Sequence, residues 1–182
     1  QSKPLQVRSF EYSADNQKVL IYTNTQRVWR QDTKGDYWIL DMVTKNLKQL
    51  GTKFPASTMM FAKISPDGKQ VAYVSQYNIY VEEIVTGKRR ALTKNGTRRL
   101  INGTFDWVYE EEFACRDGFR WSDDGKKIAF WQVDAEGTKD FMMMDNLAGI
   151  YSKPIPVEYP KVGESPSAVR IGVVDVATAA LK

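Results

Sequence analysis

The chain has 182 residues, of which 42% are hydrophobic, 26% charged and 12% aromatic, a composition that excludes a disordered chain and suffices for a sizeable buried core. Its net charge of +4 is spread out, and the densest basic run (Lys88 to Arg90, then Lys94, Arg98 and Arg99) reads as a solvated strand edge, so no nucleic acid is expected as a partner. With no histidine, a Ser-His-Asp, Cys-His or His-metal site is excluded; with Cys115 alone, so is an intrachain disulfide, and no apolar run nears the ~18 residues of a membrane-spanning helix.

In chain order, the start at Gln1 shows no charged n-region or apolar h-region, and the chain reads as a processed or cut piece. The first element is a hairpin around Tyr12-Ser13-Ala14-Asp15-Asn16-Gln17-Lys18-Val19-Leu20-Ile21-Tyr22. Better copies follow at Ile64-Ser65-Pro66-Asp67-Gly68-Lys69-Gln70-Val71-Ala72-Tyr73 and Trp121-Ser122-Asp123-Asp124-Gly125-Lys126-Lys127-Ile128-Ala129-Phe130. In each, a strand ends on a large residue, Asp bonds local backbone in the turn, and Gly or Asn takes positive φ. The three Ser positions stand 52 and 57 residues apart.

A second motif trails each copy: Leu40 to Lys45, Glu82 to Gly87 and Val174 to Ala179, each a strand running into a polar turn. A further strand follows the first two, at Leu47–Leu50 and Arg89–Leu92, and the third stops at Lys182. Two hairpins in a repeat of about fifty residues mark a four-stranded propeller blade. The expected fold is therefore all-β: a partial β-propeller of about three four-stranded antiparallel blades, roughly 8–53, 54–103 and 119–182, with a short helical insertion.

The first two Thr landmarks, Thr44 and Thr86, lie 42 residues apart, whereas Thr86 to Thr178 spans 92. The excess lies in insertions at about 95–119 and 134–168, and long insertions on a regular scaffold are where function concentrates. The first carries Asp106-Trp107-Val108-Tyr109-Glu110-Glu111-Glu112-Phe113, in which Asp106 is the expected N-cap of a short helix with the Glu residues in its first turns. A triple Glu is ordinarily a solvated face, but here it is hemmed by aromatics, where neighbouring carboxylates repel and a cation between them relieves the strain. Asn95-Gly96-Thr97 and Asn102-Gly103-Thr104 are glycosylation sequons that read better as Asn-Gly turns. The second insertion reads as a surface loop, or an arm for dimer contact. Gly163-Glu164-Ser165-Pro166-Ser167 comes closest to a nucleophile elbow and fails at its last position.

The string Asp106 to Glu112 resembles the double-glutamate motif of dipeptidyl peptidase IV, in the prolyl oligopeptidase class, and the similarity continues through Trp121 to Gly125 and Val157 to Gly163. Trp29-Arg30 is similar to that family's substrate-contacting arginine, expected between the first two strands of its blade. The resemblance implies that Glu111 and Glu112 bind a peptide's free α-amino group, that Glu110 is structural or exposed, and that Arg30 binds the following carbonyl and sets the Glu geometry. It implies a propeller joined to a C-terminal α/β-hydrolase domain of the same parent chain, which holds the Ser-Asp-His triad and is absent here. The implied parent is a serine exopeptidase releasing Xaa-Pro or Xaa-Ala dipeptides, a homodimer, periplasmic, secreted or membrane-anchored facing outward, with no metal or cofactor. A tripeptidyl relative and a propeller that only binds are the alternatives.

Overall fold

The computed structural model describes residues 4–182. The first blade is the meander β1 (Val7–Tyr12), β2 (Lys18–Val28), β3 (Gln31–Asp41) and β4 (Leu47–Gln49), with each strand antiparallel to the next. The second repeats it with β5 (Met59–Ile64), β6 (Gln70–Ser75), β7 (Asn78–Glu83) and β8 (Arg89–Ala91). A single pair, Gly35 with Met59, links the two.

The third blade begins with β9 (Leu100–Asn102), leaves the sheet for the helix α1 (Trp107–Phe113), and resumes with β10 (Phe119–Trp121). Both short strands pair with β11 (Lys127–Asp134). The ribbon β12 (Asp140–Asp145) and β13 (Lys153–Glu158) forms a separate sheet, after which β14 (Ala168–Asp175) covers the other edge of β11. An isolated bridge from Val174 to Leu181 stands where a fourth strand is expected. Although β9 falls in the stretch assigned from sequence to the second blade (54–103), it pairs with β11 of the third. The first insertion thus interrupts the first strand of a blade rather than lying between two blades.

The turn chemistry is uniform. Ser13, Ser65 and Ser122 donate through Oγ to Asp15, Asp67 and Asp124 at 2.6, 2.6 and 2.7 Å. Each Asp accepts a backbone N–H two residues on, and Asn16, Gly68 and Gly125 hold φ of 58, 71 and 67°. The degenerate first copy works because Asn tolerates the left-handed region.

Blade-on-blade packing follows from strand alternation. On β6, Val71 and Tyr73 join Leu20, Tyr37 and Ile39 of the first blade in one core cluster. Ala72 and Val74 join Phe119, Ile128, Phe130 and Val174 of the third in another. The middle blade is therefore buried on both faces, which is why β6 reads as a nearly continuous apolar run. β1 and much of β14 are exposed, with Trp131, Val169 and Ile171 uncovered. The sheets do not close on themselves.

The second insertion, read from sequence as a surface loop or an arm, contains the β12–β13 ribbon, and its apolar residues Phe141, Met142, Met143, Met144 and Ile155 stand exposed. Its root is fastened by charge: Arg98 bonds Asp140 at 3.1 Å and also pairs with Glu158, and Arg99 meets Asp140 at 2.8 Å. Asn102 is fully buried, donates to the Tyr77 carbonyl and Asn95 Oδ1, and accepts from Gln132, so this sequon is a structural asparagine.

Candidate functional site

Helix α1 is short because its ends are fixed by side chains and chirality. Asp106 accepts the Tyr109 N–H at 3.2 Å, confirming the expected N-cap, and Ala114 stops the helix in the left-handed conformation with φ of 56°. The other Asp106 oxygen accepts from Ser167 Oγ at 2.5 Å, and Tyr109 OH donates to the Ser167 carbonyl at 3.0 Å. Trp107 lies against Tyr159, their ring centroids 4.4 Å apart. The helix is thus seated on the root of the ribbon by its first turn.

The three glutamates diverge. Glu110 is buried and faces Arg116, Oε1 to Nε 3.4 Å, without hydrogen-bond geometry. Burial pushes its carboxyl above the usual range; Arg116 opposes that shift and Glu111 adds to it. Glu111, its side chain 8% exposed, meets Arg30 Nε at 2.7 Å. Glu112 is exposed and has no ion-pair or hydrogen-bond partner among the described residues.

Arg30 reaches this point from the first blade. β2 and β3 run 11 residues each, against 6 for β6 and β7, so their hairpin overhangs the blade by five residues, or about 17 Å at the strand rise. Trp29 and Arg30 form its two-residue tip, where Trp29 takes φ of 51°, the positive value that a tight hairpin turn demands. The tip lies between the second and third strands of its blade, not the first two as expected from sequence, because Val7–Tyr12 already forms a strand ahead of the Ser13 turn. Ser57 props the hairpin from the next blade, donating from its N–H to Asp36 at 2.7 Å and from Oγ to the Asn24 carbonyl at 2.6 Å.

Two of the three expected site residues, Arg30 and Glu111, are therefore in direct contact, and Glu112 follows Glu111 on the same short helix. Sequence reasoning missed Arg116, whose one signal was a basic residue just past the Glu run. It also gave Ser167 and Tyr159 no role beside the helix, although both lie in stretches it singled out, because their partners Asp106, Tyr109 and Trp107 lie on the far side of the insertion. The site sits on an open rim. A cavity of about 350 Å³ beside Trp107, Tyr159 and Phe141, and another of about 520 Å³ beside Lys63, Asp117 and Arg120, are not lined by Arg30, Glu111 or Glu112.

Residues 13–182 match the family model described as the dipeptidyl peptidase IV N-terminal region. The chain belongs to this family. Among relatives of this DPP IV N-terminal region, dipeptidyl aminopeptidase B of Saccharomyces cerevisiae is 33% identical over 164 residues, 87% of this chain and 19% of the relative. The probable dipeptidyl-aminopeptidase B of Penicillium rubens is 31% identical over 176 residues, 90% of this chain and 20% of the relative. The crystal structure of Porphyromonas gingivalis dipeptidyl peptidase 4 superposes with a TM-score of 0.90 at 28% identity, over 97% of this chain and 25% of that one. The chain thus spans about a fifth of the length of the curated relatives it matches. Its open arc is a fragment of the DPP IV β-propeller fold, as the repeats implied.

Proposed function

We propose that this chain is the substrate-anchoring part of the propeller of a serine-type dipeptidyl aminopeptidase. Glu111 and Glu112 hold the α-ammonium of a peptide substrate, and Arg30 orients Glu111 and receives the next carbonyl. The observation that carries this reading is the 2.7 Å contact between Arg30, at the tip of an overhanging hairpin, and Glu111, on a helix inserted two blades away. An α-amine with a pKa of about 7.7–8.0 is largely protonated at neutral pH, and carboxylates at a partly desolvated wall bind it through strong charge-assisted bonds. An internal peptide amide supplies no cation, so the same wall disfavours it. Anchoring the terminus also fixes which bond reaches the nucleophile, and catalysis gains from that positioning.

On this reading the nucleophile comes from a C-terminal α/β-hydrolase domain of the parent chain, and the substrates are Xaa-Pro or Xaa-Ala peptides. The uncovered face at Trp131, Val169 and Ile171 meets the next blade, and the exposed ribbon meets a second subunit in a parent homodimer that works in the periplasm, outside the cell or on an outward-facing anchor. Glu111→Ala and Glu112→Ala in the full-length enzyme test the anchoring. Each is expected to lower kcat/KM on an Xaa-Pro substrate about a hundredfold, the scale of losing a charge-assisted contact to the substrate, with the fold intact. Normal turnover by the double variant would refute the assignment.

A further inference from the structure

The Arg30–Glu111 contact joins two elements that share no strand pairing, and Arg30 itself, its side chain 82% exposed, is too solvated to hold them together. One side chain does span the gap. Arg116 lies just beyond the end of α1, with its carbonyl accepting from Thr104 Oγ1 at 2.9 Å, so its backbone is fixed to the helix entry. Its Nη2 donates to Thr33 Oγ1 at 2.5 Å, on β3 three residues from the hairpin tip, while its Nε faces Glu110 at 3.4 Å. Thr33 and Glu110 are both buried. The planar fork of a guanidinium suits such a two-sided contact, as an ammonium does not. Tyr22 stiffens the same stretch by donating to the Asp32 and Lys34 carbonyls at 3.1 and 2.8 Å.

We propose that Arg116 is a positioning residue for the substrate's amino terminus: by tying the β2–β3 hairpin to the Glu helix through Thr33 and Glu110, it sets the separation of Arg30 and Glu111. The inference rests on the proposed anchoring role of Glu111. Arg116 touches no substrate group on this reading; it acts through the two residues that do.

The test is steady-state kinetics of the full-length enzyme on an Xaa-Pro substrate with a free amine. Arg116→Met is expected to raise KM about tenfold with kcat within about twofold, because a shift of the anchor weakens a binding contact more than it disturbs chemistry in another domain. Thr33→Val removes the acceptor of the bridge, together with a long 3.5 Å bond from the Thr33 hydroxyl to the Gln31 carbonyl, and is expected to raise KM about threefold, with the double variant no worse than Arg116→Met alone, since both changes break one linkage. A merely structural role would give additive effects and a lowered melting temperature without a selective rise in KM. If Arg116→Met does not fold, Thr33→Val decides by itself. Unchanged KM in Thr33→Val and in any folded Arg116→Met, alongside a raised KM in Glu111→Ala, overturns the positioning role alone. An unchanged kcat/KM in Glu111→Ala overturns the anchoring reading, and the positioning role falls with it.

Discussion

Asp106→Ala isolates the junction that seats the Glu helix. Asp106 is buried, and each of its oxygens does separate work: one caps α1 through the Tyr109 N–H, the other accepts the Ser167 hydroxyl. Alanine removes the cap, at about 1 kcal/mol, and a charge-assisted buried bond, at about 2 kcal/mol, so the chain should lose about 3 kcal/mol. Asparagine caps as well as aspartate and keeps one acceptor, so Asp106→Asn should lose only about 1 kcal/mol. In equilibrium urea unfolding with an m-value of about 2 kcal/mol/M, the midpoints should fall by about 1.5 M and about 0.5 M. Ala and Asn variants with equal midpoints would show that the cap contributes nothing, and an Ala variant matching the wild type would refute the whole account of this junction.

Two further measurements probe the scaffold. Lys63 is mostly buried, pairs with Asp117 at 2.5 Å and lies 3.8 Å over the Phe119 ring; burial holds its amine below the usual range, against the pull of Asp117. Asp117→Asn takes away that cation's counter-charge, leaving it the Phe61 carbonyl at 3.2 Å, and should cost about 2 kcal/mol, whereas Lys63→Met, which leaves Asp117 its Arg120 partner at 2.9 Å, should stay within about 1 kcal/mol; urea midpoints in the reverse order would refute this. The Ser hydroxyls hold Asp15, Asp67 and Asp124 below the ordinary carboxylate value of 3.8. A depressed folded pKa contributes stability above 3.8 that is lost as pH falls through the folded value. The triple variant Ser13→Ala, Ser65→Ala, Ser122→Ala should therefore be less stable than wild type at pH 7, and the gap should narrow as pH falls towards 2 without closing, since each Ser Oγ also accepts a backbone N–H at 2.9 Å; parallel midpoint-against-pH curves would count against it.

The parts of the molecule legible in the sequence were those carried by local chemistry. The Ser-x-Asp-Gly turns repeat the same few hydrogen bonds at each blade, so three spaced copies were enough to identify the architecture. The helix around Glu111 was readable because its cap, Asp106, is adjacent in sequence. What stayed hidden depends on partners far along the chain. β9 reads like the end of the second blade, and only its register against β11 moves it to the third. The second insertion read only as a surface loop or an arm because a two-stranded ribbon exposed along most of both strands lacks the alternation by which a half-buried strand is recognised. Arg116 was invisible for the same reason: its meaning lies in Thr33, in another blade.

The arrangement explains why three adjacent glutamates are tolerable on a seven-residue helix. Left alone they would repel one another, and the buried one would be driven towards its neutral form. Two guanidiniums meet them instead, Arg116 at Glu110 and Arg30 at Glu111, and both connect back to the same hairpin of the first blade. Of the three, the carboxylate without a basic partner among the described residues, Glu112, is the exposed one. On the proposed reading, a peptide's free terminus supplies the cation that Glu112 lacks, and a blocked terminus or an internal amide cannot. The long hairpin follows from the same requirement: a helix on the third blade can be neutralised from the first only if two strands extend past the blade between them.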